Sequence, residues 1–365
     1  MSPPDSRIIA AIQNPALSEP EFNALALETL AHQFAHNAPY RRYCESLGVR
    51  PDSVGRWQDI PAVPQNAFKE FDLCTFPPQN AVKVFHTSGT TAQTPGRHFL
   101  ETLDLYEISV LEGYDRTFRS AAVPPPETFA ILAPDPKEAP HSSLSHMFDV
   151  WTRYFAPRGS RWFWQGGILD FTTLIDALEM AEQFEQPVFL MGTAFSFVHL
   201  FDECERRPAR FKLPPGSLVL ETGGYKGRSR KIPKRELYGL FDSVLGLPDA
   251  ACWNEYGMTE LGVQFYARGA EGLHTVPPWA RVALINPSTG QEVTVGETGL
   301  VRIYDLTNRS SVLGIQTEDA AIRHENGFRL LGRISRASAR GCSIAADDLL
   351  SMTPPATGNR EPTTS

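Results

Sequence analysis

Residues 82–97 read VKVFHTSGTTAQTPGR: a short apolar run, Val82 to Phe85, breaks into Thr87-Ser88-Gly89-Thr90-Thr91 and closes on Pro95-Gly96-Arg97. A strand that ends in hydroxyls around one glycine can turn backbone N–H and side-chain O–H donors towards a polyphosphate, and Arg97 adds positive charge. The stretch lacks the GxxxxGK[ST] order, so P-loop NTPase chemistry is not indicated. The same residues also suit an ordinary Ser/Thr-rich turn whose hydroxyls satisfy their own backbone.

The texture of apolar strand followed by polar loop recurs downstream. Phe129 to Leu132, Val188 to Met191, Leu218 to Leu220 and Leu300 to Tyr304 are short apolar runs separated by Gly/Pro turns and helical patterns. That alternation predicts an α/β fold with largely buried strands. Between the runs, Asp170 is a plausible N-cap for a helix whose apolar stripe is Phe171, Leu174, Ile175, Leu178 and Ala181, stopped by Pro187. Upstream, Phe22, Leu25, Leu30 and Phe34 predict an amphipathic helix after Glu19-Pro20-Glu21. The expected organisation is a helical lead-in over 1–75, a core over 76–350 and a disordered tail over 351–365. Ala121 to Glu127 and Pro208 to Pro215 read as surface connections, because proline removes backbone donors.

Composition narrows the function classes. The chain has 365 residues, 42% hydrophobic and 10% aromatic, which excludes a wholly disordered protein. Lys+Arg number 34 and Asp+Glu 42, a net charge of -8, so a nucleic-acid binder working through bulk positive charge is not expected. Five scattered cysteines without a CxxC pair fit neither a disulfide scaffold nor a zinc site, and a reducing, cytoplasmic setting is the expectation. The N-terminus shows no signal peptide. The most apolar stretch, Pro187 to Phe201, is too short and too interrupted for a membrane span.

Three further segments carry chemistry-bearing residues. Asn254-Glu255-Tyr256-Gly257-Met258-Thr259-Glu260 offers an aromatic ring to stack on a purine, a hydroxyl for a phosphate and a carboxylate for Mg²⁺; it also suits a strand–turn–helix junction with Glu260 solvated. Glu221-Thr222-Gly223-Gly224-Tyr225-Lys226-Gly227 pairs glycines, against which a flat ligand can lie, with a lysine; a plain glycine turn reads the same way. Thr317-Glu318-Asp319 and, further on, Gly332-Arg333 supply a carboxylate able to take both hydroxyls of a ribose and an arginine beside it, or simply surface charge. His141, His146, Ser142 and Ser143 suggest a Ser–His pair, but no G-x-S-x-G elbow surrounds them, no carboxylate partner is identifiable, and a hydrolase is disfavoured. The stretch from His141 to Met147 suits an acyl-pocket wall or the start of an amphipathic helix.

Taken in order, these segments resemble the adenylate-forming superfamily, and within it the acyl-protein synthetases of bacterial bioluminescence, or long-chain-fatty-acid protein ligases, with phenylacetate-CoA ligases as neighbours. The resemblance is carried by TSGTT with PGRH, HSSLSHM, ETGGYKG, EYGMTE and GRISRASARGCS, and spans approximately Pro61 to Leu350. It implies a large adenylate-forming core of mixed sheets and packed helices. Thr87, Ser88, Gly89, Thr90 and Thr91 would hold the ATP phosphates, Gly223, Gly224 and Tyr256 would sandwich adenine with Gly257 following, and Asp319 and Arg333 would hold the ribose. Thr259 would contact the α-phosphate and Glu260 the Mg²⁺. The implied reaction is attack of a substrate carboxylate on the α-phosphorus, giving an acyl-adenylate and pyrophosphate.

After Gly341 only 24 residues follow, so the superfamily's mobile C-terminal domain and its lysine are not expected. Lys226 and Arg97 then become the candidates to neutralise phosphate charge. Ala92 stands where the phosphate loop usually has glycine. The expected activity is ATP-dependent activation of a fatty or aryl acid with transfer to a thiol on a protein or carrier. An acyl- or aryl-CoA ligase and a non-catalytic nucleotide-binding scaffold are the competing readings. Cys342 suits either an acyl carrier or a buried structural thiol. Phe195, Phe197 and Phe201 permit a hydrophobic acid pocket and equally suit core.

Overall fold

The computed structural model describes residues 3–87, 94–119, 125–156, 158–223 and 232–333. It opens with three helices, α1 (Pro3–Gln13), α2 (Glu19–His36) and α3 (Ala38–Ser46). α2 begins at a capping box in which the Ser18 N–H donates to Glu21 Oε2 at 2.8 Å, with proline in the first turn, and it buries Phe22, Leu25 and Leu30. A two-residue strand, β1 (Val63–Pro64), and a short turn of helix, α4 (Ala67–Glu70), follow. The lead-in is therefore not purely helical. The two ends of the 82–97 stretch then form the arms of an antiparallel hairpin, β2 (Lys83–His86) and β3 (Arg97–Leu100), with His86 opposite Arg97. α5 (Asp104–Tyr114) comes next and runs into a π-type turn at Asp115–Arg119.

The central sheet has seven strands: β4 (Phe129–Pro134), β5 (Arg161–Gln165), β6 (Ile168–Leu169), β7 (Phe189–Thr193), β8 (Leu218–Thr222), β9 (Cys252–Tyr256) and β10 (Phe265–Arg268). The intervening helices are α6 (Ser143–Phe155), α7 (Phe171–Gln183), α8 (Ala194–Arg206) and α9 (Lys234–Leu245). Spatial order is β10-β9-β8-β7-β4-β5-β6, parallel from β9 to β5 with antiparallel edges. Both faces are covered, which is why these strands read as unbroken apolar runs: Ala130, Leu132, Leu190 and Val219 face the α7–α8–α9 side, and Phe129, Ile131, Phe189, Met191 and Leu220 the α5–α6 side. The predicted cap holds α7, where Asp170 Oδ1 accepts from Thr173 N–H at 3.1 Å. β7 and β4 approach so closely that a Cβ on Gly192 would lie 2.9 Å from Leu132 Cβ, so only glycine fits there.

A second sheet is the antiparallel meander β11 (Ala280–Ile285), β12 (Thr298–Asp305), β13 (Gly314–His324) and β14 (Gly327–Arg333). β1 pairs in parallel with the start of β13, on the edge that β14 continues. The core beneath it combines Phe22, Leu30, Trp57 and Phe68 from the N-terminal region with Val301, Ile303 and Ile315 from the strands.

The Pro208 to Pro215 stretch differs from the surface connection predicted. Phe211 and Leu213 are buried, and their N–H groups donate to the Val244 and Leu245 carbonyls at 2.8 and 3.0 Å. These are last-turn carbonyls of α9, which have no partner within the helix, so the alternation of proline and apolar residue caps a helix end.

Candidate active site

Strand order reverses at β4, which has β5 on one side and β7 on the other; in open α/β sheets ligands bind beyond the carboxyl ends of the strands at such a reversal. Gly223 and Gly257 leave the sheet at that end, directly after β8 and β9. Gly223 sits at φ +70°, a left-handed conformation that glycine adopts without penalty, and a Cβ on Gly257 would lie 2.2 Å from Glu255 Oε1.

Two sequence-distant segments close on each other here. The buried His98 of β3 donates its Nδ1–H to the Thr259 carbonyl at 2.8 Å, and the Thr259 hydroxyl donates to the His86 carbonyl at 3.3 Å. Burial pulls the His98 pKa down to about 4, which keeps it a neutral, fixed donor. At the base of the hairpin the Gly96 N–H donates to Thr87 Oγ1 at 2.8 Å. Glu260 is buried. Its backbone carbonyl accepts from Asn308 Nδ2 at 2.8 Å and its Oε1 from Gln65 Nε2 at 3.2 Å. Burial pushes its pKa up to about 6, against the pull of the Gln65 hydrogen bond and the charges of Arg333 and Lys69. The next turn is anchored by Asp305, whose Oδ2 accepts from the Gly262 and Val263 N–H groups at 2.9 and 3.0 Å.

On the far side, the Tyr256 hydroxyl donates to Asp319 Oδ2 at 2.9 Å, and Arg333, opposite Asp319 in the β13–β14 register, reaches its Oδ1 at 3.8 Å. Desolvation raises the Asp319 pKa, opposed by Tyr256 and Arg333. The Tyr256 ring is held among Phe265, His274 and Phe328, with centroids 5.9 to 6.0 Å away. Arg97 is turned to Asp72, 2.7 Å away. Ser88, Gly89, Thr90, Thr91, Gly224, Lys226 and Cys342 lie outside the described residues.

Over residues 13–351 the chain matches the family described as Acyl-protein synthetase, LuxE. The chain belongs to this family. It is 22% identical over 327 residues to a long-chain-fatty-acid–luciferin-component ligase of Vibrio harveyi, covering 86% of this chain and 84% of the relative. In fold it is similar to 2-hydroxyisobutyryl-CoA ligase in complex with 2-HIB-AMP and CoA, with a TM-score of 0.65 at 16% identity over 88% of this chain and 70% of that one. It is also similar to ATP-bound MatB from Rhodopseudomonas palustris, with a TM-score of 0.50 at 17% identity over 79% and 56%. This acyl-protein synthetase has the adenylate-forming core fold and is an AMP-forming ligase, activating a carboxylic acid with ATP and passing on the acyl group.

Two buried carboxylates of the synthetase lie inside its motifs and are missed from sequence, because residue type alone does not tell a buried carboxylate from a solvated one. Glu221, next to last in β8, accepts from Asn254 Nδ2 at 2.7 Å and from the Tyr238 hydroxyl at 3.3 Å. Asn254 Oδ1 in turn accepts from His274 Nε2 at 2.8 Å, which ties the network to the ring behind Tyr256. Glu255, on the neighbouring strand, accepts from the Thr222 hydroxyl. Burial pushes each pKa up to about 7 from an ordinary 4.5. The folded state thus keeps protons that the unfolded chain has already lost, so stability falls as pH rises between 4.5 and about 7. Glu255→Gln is expected to stabilise the protein near pH 8, by up to about 3 kcal/mol, and to change little near pH 4. Thermal unfolding at both pH values checks this.

The His141 to Met147 stretch opens a helix: Ser142 Oγ caps α6, accepting from Ser145 N–H at 3.1 Å. His146 does have a carboxylate partner, Glu107, with Nε2 3.0 Å from Oε1, but Arg153 shares that carboxylate at 3.1 Å. Phe197 and Phe201 are core, packed on Phe241 at 5.0 and 5.5 Å; Phe195 is half-buried beside His199. No helix among the described residues is long and apolar enough to cross a membrane.

Proposed function

We propose that this synthetase activates a fatty or aryl acid and hands the acyl group to a thiol of an acceptor or carrier protein. Asp319 and Arg333 hold the ribose, Tyr256 and the Gly223–Gly224 backbone flank adenine, the Thr87 to Thr91 loop cradles the phosphates, and Thr259 meets the α-phosphate. The observation that supports this reading is the docking of the β2–β3 arms on Thr259 through His98 and His86, which joins the strands flanking the Thr87 to Thr91 segment to the residue before Glu260.

Among the described residues no three His, Cys, Asp or Glu side chains gather as a metal cluster. Mg²⁺ in nucleotide sites needs only one or two carboxylates beside substrate phosphates, and Glu260, buried and bonded to a neutral amide, suits that donor set. Glu260 would hold the ion, which when bound offsets charge on the triphosphate. The chain itself aligns the acid with the α-phosphorus and excludes water, so that most of the rate comes from positioning and fixed dipoles. Lys226 and Arg97 are the proposed cations for the leaving pyrophosphate; Arg97 would have to leave Asp72 to serve. The free, buried Cys44, Cys74, Cys204 and Cys252 suit a reducing cytoplasm.

The name of the Vibrio harveyi relative favours a long-chain fatty acid, and the family's description as acyl-protein synthetase favours a protein acceptor. The test is mass analysis after incubation with ATP, Mg²⁺ and a fatty acid, with and without CoA. A thiol-bound acyl group on protein, unaffected by CoA, is the expected product. Acyl-CoA as the sole thioester would make the protein a CoA ligase, and nucleotide binding without any acyl-adenylate would make it a scaffold.

A further inference from the structure

The Pro64 to Asp72 segment, which the sequence places in the lead-in, meets the candidate site at several points. β1 pairs with β13, and the Gln65 N–H donates to the Gln316 carbonyl at 3.0 Å, just before Thr317 and Asp319 on that strand. The Gln65 side chain donates from Nε2 to Glu260 Oε1 at 3.2 Å, across 195 residues of sequence. Gln65 therefore ties the strand that carries Asp319 to the turn that carries Glu260. Phe68 packs edge-on against His98, centroids 5.9 Å apart, the same imidazole that holds the Thr259 carbonyl. The turn also backs the hairpin directly: a Cβ on Gly96 would lie 3.4 Å from the Phe68 carbonyl carbon.

A carboxylate buried this deeply is costly unless it is hydrogen-bonded and neutralised. Here the side-chain donor comes from the N-terminal segment.

We propose that Gln65 belongs to the nucleotide site, where it positions the Glu260 carboxylate for its part in binding Mg²⁺ and ATP. The inference rests on the reading of Glu260 as the carboxylate that serves Mg²⁺ and ATP. Gln65 is a positioning residue, because it acts through Glu260.

Calorimetric binding of ATP with Mg²⁺ and of ATP with EDTA tests this on wild type, Gln65→Ala and Glu260→Ala, with thermal unfolding to show that each folds. Gln65→Ala is expected to reduce the gain in ATP affinity that Mg²⁺ brings by about ten-fold and to shift binding in EDTA by less than about two-fold. Equal losses with Mg²⁺ and with EDTA, or no loss in either, would overturn the proposal in favour of a structural turn. If Gln65→Ala does not fold, Gln65→Met, which keeps the stem, makes the same comparison. Loss of the Mg²⁺ gain in Glu260→Ala alone would refute the role of Gln65 and leave Glu260 standing. No Mg²⁺ gain in wild type would refute the reading of Glu260 itself.

Discussion

Glu260→Ala is expected to lower acid-dependent pyrophosphate release by on the order of 10²-fold or more while leaving the fold at least as stable. The two halves of this expectation have one physical cause. The Glu260 carboxylate is buried against a neutral amide, and burial pushes its pKa up to about 6, so the ionised form is disfavoured in the folded chain. Deleting it relieves that cost above about pH 6, whereas the backbone carbonyl of residue 260 keeps its Asn308 partner. A residue that costs stability where it sits and is worth rate is what a preorganised site contains. Steady-state pyrophosphate release and thermal unfolding of the same preparations check both halves. A variant that loses stability and activity together would mark Glu260 as structural.

The second large effect is expected at Asp319. Asp319→Ala removes a carboxylate that accepts from Tyr256 and neighbours Arg333, and with it the proposed partner of the ribose hydroxyls. Nucleotide affinity is expected to fall about ten- to hundred-fold, because hydrogen bonds to a charged partner contribute about 1.5–3 kcal/mol. The loss should be equal for ATP, AMP and adenosine, since all three carry the ribose. Tyr256→Phe should cost less, because it leaves the carboxylate in place. Competition binding with the three ligands makes the measurement, and a loss confined to ATP would place Asp319 at the phosphates instead.

What the sequence made legible was local. The apolar runs of β4, β7, β8 and β12 stand out because their side chains are buried on both faces or pack under the second sheet, and Asp170 announces α7 because a cap is a local hydrogen bond. The segments carrying Thr87, Tyr256, Thr259, Glu260 and Asp319 could be named from residue type and order. Their joints could not: His98 to Thr259, Tyr256 to Asp319 and Gln65 to Glu260 are contacts across 161, 63 and 195 residues. No periodicity encodes a contact of that range. The pairing of β1 with β13 was hidden for the same reason, since two residues carry no strand pattern. At Pro208 to Pro215 the prolines outweighed Phe211 and Leu213, whose partners are carbonyls at the end of a helix some thirty residues further on.

The central claim, that these segments form one adenylating site, is tested most directly by ATP–pyrophosphate exchange on the wild-type protein with Mg²⁺ and a panel of fatty, aryl and short acids. Exchange reports the acyl-adenylate step alone, before any acceptor is needed. The account predicts exchange that depends on both the acid and Mg²⁺. ATP binding without exchange for any acid would contradict it.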